Sequence, residues 1–461
     1  MTEITANKRK KEMQKKFVIG LGLTGVSCVR YLVNQGFEVV AFDTRKKAPG
    51  LEILKRDYPN VEIYTGDITE DVLNDVDQVI SSPGISLSCP LLIAAKKRNI
   101  EIIGDIEIFS QLAKAPIIAI TGSNGKSTAT TLLADMIKAD GKQVKMGGNI
   151  GVPVLDLLAE EVDVPDFYVL ELSSFQLDTT SHLKAKASVV LNISEDHMDR
   201  YSNLDQYGNS KLTIYKNAEY CVINDEDQWL QDNVKEKERY ISFTTQQPLP
   251  GQYGLKTVDK KEWIAFGDEL IFRTDKLKVQ GKHQVANVLA AIVLGDICGL
   301  VRENMCNALK KFQGLKHRTQ YVSKIKDVTY INDSKGTNVG ATVAAVNGLN
   351  GPVVLIAGGV SKGADFSDLR NVLKDKVTYV ILMGRDASLI ENMISGVVPV
   401  VHAESMEDAV RLSADVAKKG DYVLLSPACA SFDMFSNYEQ RGEAFMQVVE
   451  QVASELKNND S

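Results

Sequence analysis

Short apolar runs alternate with stretches whose apolar residues recur every three or four positions, along nearly the whole chain. Runs such as "FVIGLG", "FEVVAFD", "VEIYTG" and "QVISSPG" have the length and turn-rich flanks of buried strands. A helix-like segment over 26–34 follows the first of them. Such alternation predicts an α/β architecture with mainly parallel sheets.

The pattern restarts twice. "APIIAITG" opens a second series that continues through "FYVLELSS", "ASVVLNIS" and "EYCVIND". Residues 240–280 are richer in turns and short alternating stretches, which predicts a small antiparallel patch. "QVANVLAAIVLGDICG" reads as a long helix ending at glycine. After "FQGLKHR" a third series begins with "VTYINDS", "VVLIAGG", "TYVILMG" and "DYVLLSPA". Three domains are therefore expected, over 1–107, 108–314 and 315–461.

Composition narrows the class without changing the picture. The chain has 461 residues, 44% of them hydrophobic and 25% charged, enough to bury several cores. A net charge of −7 argues against a general nucleic-acid binder. Six scattered cysteines without a C-x-x-C pair suggest neither a zinc site nor a disulfide framework. The basic stretch "KRKKEMQKK" before "FVIGLGLTGV" imitates a signal peptide, but the glycines and the missing cleavage pattern favour a solvated extension followed by strand and turn. No apolar run reaches about 18 residues, so no membrane span is expected and a cytoplasmic location is.

Two phosphate-binding patterns compete for the meaning of the chain. Gly20, Gly22 and Gly25 have the spacing of a dinucleotide fingerprint, and Asp43 stands where a ribose-binding acid belongs. Taken alone, they predict an NAD(P) oxidoreductase. "IIAITGSNGKSTATTLL" is a P-loop in all but one position, with Ile120 in place of the first glycine. Gly122 and Gly125 let Ser123, Asn124 and their neighbours wrap a polyphosphate, and the following helix adds its positive end. Lys126 can reach the β- and γ-phosphates, and Ser127 or Thr128 can contact Mg²⁺.

Glu171, in "VLELSSFQL", closes an apolar strand where a carboxylate suits a hydrated Mg²⁺. His197 stands in the acidic "LNISEDHMDRY", which favours a metal or phosphate-edge role as much as a structural one. Lys211, in "SKLTIY", reads as an ordinary solvated lysine. The third series places polar groups at its strand ends: His317 and Arg318, Asp333, Lys335 and Thr337, Lys362, and Ser431 and Tyr438. Strand ends are where open α/β sheets bind ligands, so four such clusters suggest one shared site. An oxidoreductase leaves the P-loop unexplained, and a mere nucleotide-binding regulator does not need these clusters.

In their order, "TGSNGKST", "LELSSFQL", "LNISEDHMDRY", "HR", "NDSKGTN" and "SPACASFDMFSNYEQRG" resemble the Mur ligase family, from about Val18 to about Phe445. Among its members the resemblance is strongest to those that add D-glutamate to UDP-N-acetylmuramoyl-L-alanine. It implies a Rossmann-like UDP-binding first domain, a central P-loop ATPase-type domain and a Rossmann-like third domain that binds the amino acid. It implies an ATP-dependent ligase of peptidoglycan synthesis that passes through an acyl phosphate, with Mg²⁺ and a carbamylated Lys211 among its cofactors; a monomer is the expected working form.

Carried over residue by residue, the resemblance places Thr24, Asp43, Thr44, Arg45, Ser82, Gly84, Asn149 and His197 on the UDP-linked substrate. It places Asn287, His317, Arg318 and Asp333, with the P-loop, on ATP. Lys335, Thr337, Lys362, Ser431 and Tyr438 fall to D-glutamate. Ser127, Thr128, Glu171, His197 and Lys211 fall to metal, and Lys126, His197 and Lys211 to catalysis. Val360 stands where the family commonly has aspartate, Gln284 where some members have asparagine, and Tyr438 where others have phenylalanine.

Overall fold

The computed structural model describes residues 14–159, 164–236, 239–279 and 281–459. The basic N-terminal stretch lies largely outside them. Three sheets follow one another along the chain, each wrapped by helices.

The first sheet comprises β1 (Lys15–Ile19), β2 (Glu38–Asp43), β3 (Glu62–Thr65), β4 (Gln78–Ser81) and β5 (Glu101–Ile103), all parallel, in the order β3-β2-β1-β4-β5. The order reverses between β1 and β4, the point at whose C-terminal ends such sheets bind ligands. The glycine turn after β1 and the Ser82–Gly84 loop after β4 face each other there. The helix after the turn covers Leu23–Asn34, starting earlier than expected because Gly22 caps it in extended conformation.

The second sheet has β6 (Ile117–Thr121), β7 (Val144–Gly148), β8 (Phe167–Glu171), β9 (Ala187–Val190), β10 (Tyr220–Asn224) and β11 (Tyr240–Phe243) as its parallel part. Its strand order is β14-β13-β12-β11-β10-β9-β6-β8-β7. β12 (Tyr253–Val258), β13 (Lys261–Phe266) and β14 (Glu269–Arg273) form the antiparallel edge. β6 and β8 are buried at every position, which places the P-loop and Glu171 where two apolar strands emerge side by side.

The third sheet contains β15 (Gln320–Ile325), β16 (Val328–Asn332), β17 (Val353–Ala357), β18 (Val377–Leu382), β19 (Val400–His402) and β20 (Tyr422–Leu425). Their order is β15-β16-β20-β17-β18-β19, with only the β15 edge antiparallel. The clusters at Asp333, at Lys362 and at Ser431 follow β16, β17 and β20, which are neighbours.

The units join in two different ways. One apolar core runs from Leu21, Val26 and Leu54 of the first unit through Ile106 and Phe109 to Leu155 and Tyr168 of the second. The helix Asp105–Leu112 packs on the second unit's helices Val154–Ala159 and Ser174–Leu177, so the boundary expected near 107 falls inside an element whose partners lie beyond it. The two buried clusters of the third sheet contain only its own residues. No helix of the described residues is long and apolar enough to cross a membrane.

Candidate active site

The P-loop is built by local backbone demands. Gly122 and Gly125 adopt φ of +151° and +84°, and a Cβ on Gly125 would lie 2.1 Å from the Asn287 side-chain oxygen. The helix Lys126–Ala139 starts immediately after. Lys126 donates to the carbonyls of Gly122 and Ser123 at 2.7 and 2.9 Å, curling its ammonium over the loop. Asn192, at the end of β9, brackets Asn124 by accepting from its N–H and donating to its carbonyl. Ser123 is held in the same way by the backbone of Ser194.

Two cavities meet at this loop. One of about 350 Å³ is lined by Thr128, Gln284, Asn287 and Asp333. The other, of about 650 Å³, is lined by Lys126, Ser127, Asn149, Glu171, His197, Thr337, Lys362, Ser431 and Tyr438. Asn124, Gly125, Arg318 and Lys335 line both. The structure thus separates the two hydroxyls that sequence reasoning left as alternatives. Ser127 stands in the cavity of Glu171, whereas Thr128 faces the other one.

Within the larger cavity, Asn149 donates to one oxygen of Glu171 at 2.8 Å. The other oxygen, Oε2, is buried without a protein partner. Asn149 therefore lies beside this carboxylate in the second unit. His197 has a left-handed φ of +60° and packs its ring 4.7 Å from that of Phe175. Burial pushes its pKa down to about 4 and outweighs the pull of Asp196, so the imidazole is neutral at pH 7.

Lys211 contradicts its reading as a solvated lysine. It is 1% exposed, its ammonium lies 3.4 Å from the Thr121 hydroxyl, and it sits over the ring of Tyr207 at 4.7 Å. Burial first, then the nearby Lys126, drives its pKa well below the usual lysine value.

The third unit reaches this cavity through polar contacts. Arg318 donates to the Ser127 hydroxyl at 2.6 Å, and the Asn338 and Asn124 side chains exchange bonds of 3.2 Å. Lys362 pairs with Asp196 of the second unit at 3.3 Å. Burial raises the Asp196 pKa, but Lys362, His197 and Lys126 together pull it below the usual carboxylate value. Lys335 lies 4.0 Å above the Tyr438 ring, and burial brings its pKa down to about 8. Asp333 takes the Ser426 hydroxyl and the Thr319 N–H, and burial raises its pKa to about 6. Thr337 is half-buried, while Ser431 is 3% exposed. His317 is instead packed into the fold, with its Nδ1 bonded to Asn332 and Gly442 beneath its ring.

In the first unit, Asp43 is fully buried and both its oxygens are used. One takes the Leu21 N–H and an Arg45 N–H, and the other two further Arg45 N–H groups. It fixes the glycine turn and Arg45, while Thr44, Arg45 and Gly84 are exposed and Thr24 is half-buried. Ser82 donates to the Gly20 carbonyl at 2.7 Å, and a Cβ on Gly25 would lie 1.8 Å from that same oxygen.

Asp196, Asn192, Ser194, Asn338 and Arg200 join the site without having been assigned a role from sequence. Asp196 is legible in sequence only as part of the acidic stretch around His197. The rest carry no spacing signal, because their partners lie far away along the chain.

Comparison with known proteins agrees with this geometry. Residues 14–104 match the Mur ligase MurD-like N-terminal domain, 120–295 the Mur ligase middle domain and 317–429 the Mur ligase glutamate ligase domain. A UDP-N-acetylmuramoylalanine–D-glutamate ligase from Nitrosococcus oceani is 46% identical over 95% of this chain and 96% of its own length. Another, from Hahella chejuensis, is 47% identical over 94% of this chain and 97% of its own. Among solved structures, the MurF ligase of Thermotoga maritima in complex with ADP superposes with a TM-score of 0.60 at 17% identity, covering 97% of each chain. A pseudomurein peptide ligase type C from Methanothermus fervidus gives 0.60 at 18%, covering 95% of this chain and all of the other. With matches to all three domains in chain order and near-half identity over almost its whole length, this chain belongs to the Mur ligase family.

Proposed function

We propose that this enzyme joins D-glutamate to UDP-N-acetylmuramoyl-L-alanine at the expense of ATP, as a step of peptidoglycan synthesis. The observation that carries this reading is the pair of cavities meeting at Gly125, with Arg318 and Lys335 lining both. Such a junction lets a phosphoryl group pass from a nucleotide on one side to an acyl group on the other.

The chemistry follows from the groups present. The substrate carboxylate attacks the γ-phosphorus, ADP leaves, and an acyl phosphate forms. The amine of D-glutamate then attacks the acyl carbon, phosphate leaves, and the nitrogen gives up a proton. Lys126, at the start of its helix, offsets the charge that develops on the transferred phosphoryl. Asn287, Asp333 and Arg318 hold the nucleotide with Gly122–Thr128. Thr24, Thr44, Arg45, Ser82 and Gly84 receive the UDP end, with Asp43 behind them. Lys335, Thr337, Lys362, Ser431 and Tyr438 receive the amino acid, whose two carboxylates need cations and hydroxyls.

The donor set fits a hydrated divalent cation. Glu171 offers a buried oxygen with no protein partner, Ser127 a hydroxyl and His197 a neutral imidazole. Mg²⁺ held there would draw charge from the reacting phosphoryl oxygens. Lys211 suits carbamylation because its depressed pKa leaves a free amine. That amine adds to CO₂, forming an N–C bond and releasing a proton, and the anion so formed can stand beside the metal.

Family membership leaves the amino acid as the specific question. An amino-acid panel, assayed for ADP release with UDP-N-acetylmuramoyl-L-alanine, tests it. D-glutamate is the expected substrate; turnover with L-lysine or meso-diaminopimelate but not with D-glutamate would overturn the assignment.

A further inference from the structure

A substrate that reaches from the first unit's strand ends to the P-loop must have both ends held at a fixed separation. Arg200 bridges that gap. Its guanidinium donates to the carbonyls of Gly84 at 3.3 Å and Ile85 at 2.9 Å, both in the loop after β4. The same guanidinium lies 4.4 Å from the centre of the Phe175 ring, against which His197 also packs. Its backbone N–H donates to the His197 carbonyl at 2.8 Å, closing the turn that holds His197 at positive φ.

The far end of this chain of contacts is equally tight. Ser82 is bonded to the Gly20 carbonyl, and a Cβ on Gly20 would lie 2.9 Å from Ile85. The glycine turn, the loop after β4, Arg200, Phe175 and His197 therefore form one unbroken series of contacts. Neither carbonyl partner can be supplied from within the second unit.

We infer that Arg200 is a positioning residue that sets the distance between the loop receiving the UDP end of the substrate and the edge of the site where its carboxylate reacts. This rests on the functional reading above. It makes Arg200 matter only for a ligand that spans both units. UDP alone, seated in the first unit, and ATP, seated between the second and third, are indifferent to it.

Three measurements on Arg200→Ala and Arg200→Lys test this. Steady-state ADP release from the alanine variant should show a kcat/KM for the UDP-linked substrate lower by roughly tenfold or more, with KM for ATP near the parental value. Calorimetric titration with UDP should give parental affinity. Lysine, a point charge that cannot fork to two carbonyls, should recover only part of the loss. Parental kinetics in the alanine variant would overturn the inference. So would an equal rise in the KM for ATP, or a loss of UDP binding, either of which marks a general structural role. A parent enzyme that releases no ADP with the UDP-linked substrate would instead overturn the functional reading, and this inference with it.

Discussion

Arg318, carried by the third unit, donates to the hydroxyl of Ser127 in the P-loop of the second at 2.6 Å. The bond joins the two units at the point where their cavities meet. Arg318→Ala removes a cation from both the nucleotide and the acyl side. The expected result is a loss in kcat/KM for ATP on the order of 100-fold, partly restored by lysine. Initial rates at varied ATP check it, and a parental KM for ATP with a parental kcat rules it out.

Lys362 and Asp196 form a further bridge between those units. An incoming carboxylate must compete with Asp196 for this ammonium. Lys362→Ala should therefore raise the KM for D-glutamate by roughly 30-fold or more while changing the KM for ATP little. Saturation curves for each substrate separate the two effects; a selective rise for ATP would reassign Lys362.

Buried Lys211 is expected to be indispensable. Lys211→Ala should lose nearly all activity without losing its fold, and short carboxylic acids added to the assay should restore part of it. Full activity in the alanine variant would remove Lys211 from the mechanism.

Asp105 gives a stability prediction independent of catalysis. Its carboxyl is 2% exposed, with Oδ1 unpartnered, and burial raises its pKa to about 6 from an ordinary 3.8. The folded state therefore binds this proton more tightly than the unfolded one. Below pH 4 the group costs nothing, and the penalty grows as pH rises to about 6 and is constant above. Asp105→Asn escapes it, so the variant should gain on the order of 2 kcal/mol relative to the parent between pH 4 and pH 7. Urea unfolding at both pH values measures the difference, and a pH-independent difference would refute the assignment.

The parts of the site written in contiguous sequence were readable from it. The P-loop and Glu171 are dictated by an apolar strand, a glycine turn and a helix start, all local. The Ile120 departure did no harm, because Ile120 is a buried strand residue and the turn itself begins at Gly122. Lys211 was misread because a lysine carries no mark of its own burial. Tyr207, four residues earlier on the same helix, is the one local hint of a sheltered face. Arg200, Asn338 and the partner of Lys362 were out of reach, because each acts on another unit and periodicity does not encode docking. The helix from Asp105, which straddles the boundary expected near 107, illustrates the same limit: what it packs on is not written where it lies in sequence.

The unequal joining of the units bears on how the chain melts. A core shared from Leu21 to Tyr168 means that the first two sheets cannot lose their packing separately. The third, with apolar clusters of its own and polar contacts to its neighbour, can. Counting sheets gives three bodies, but counting cooperative transitions should give two. Calorimetry should resolve one unfolding event for the first two units together and another for the third, and ATP analogues bound across Gly125 and Arg318 should draw the two together.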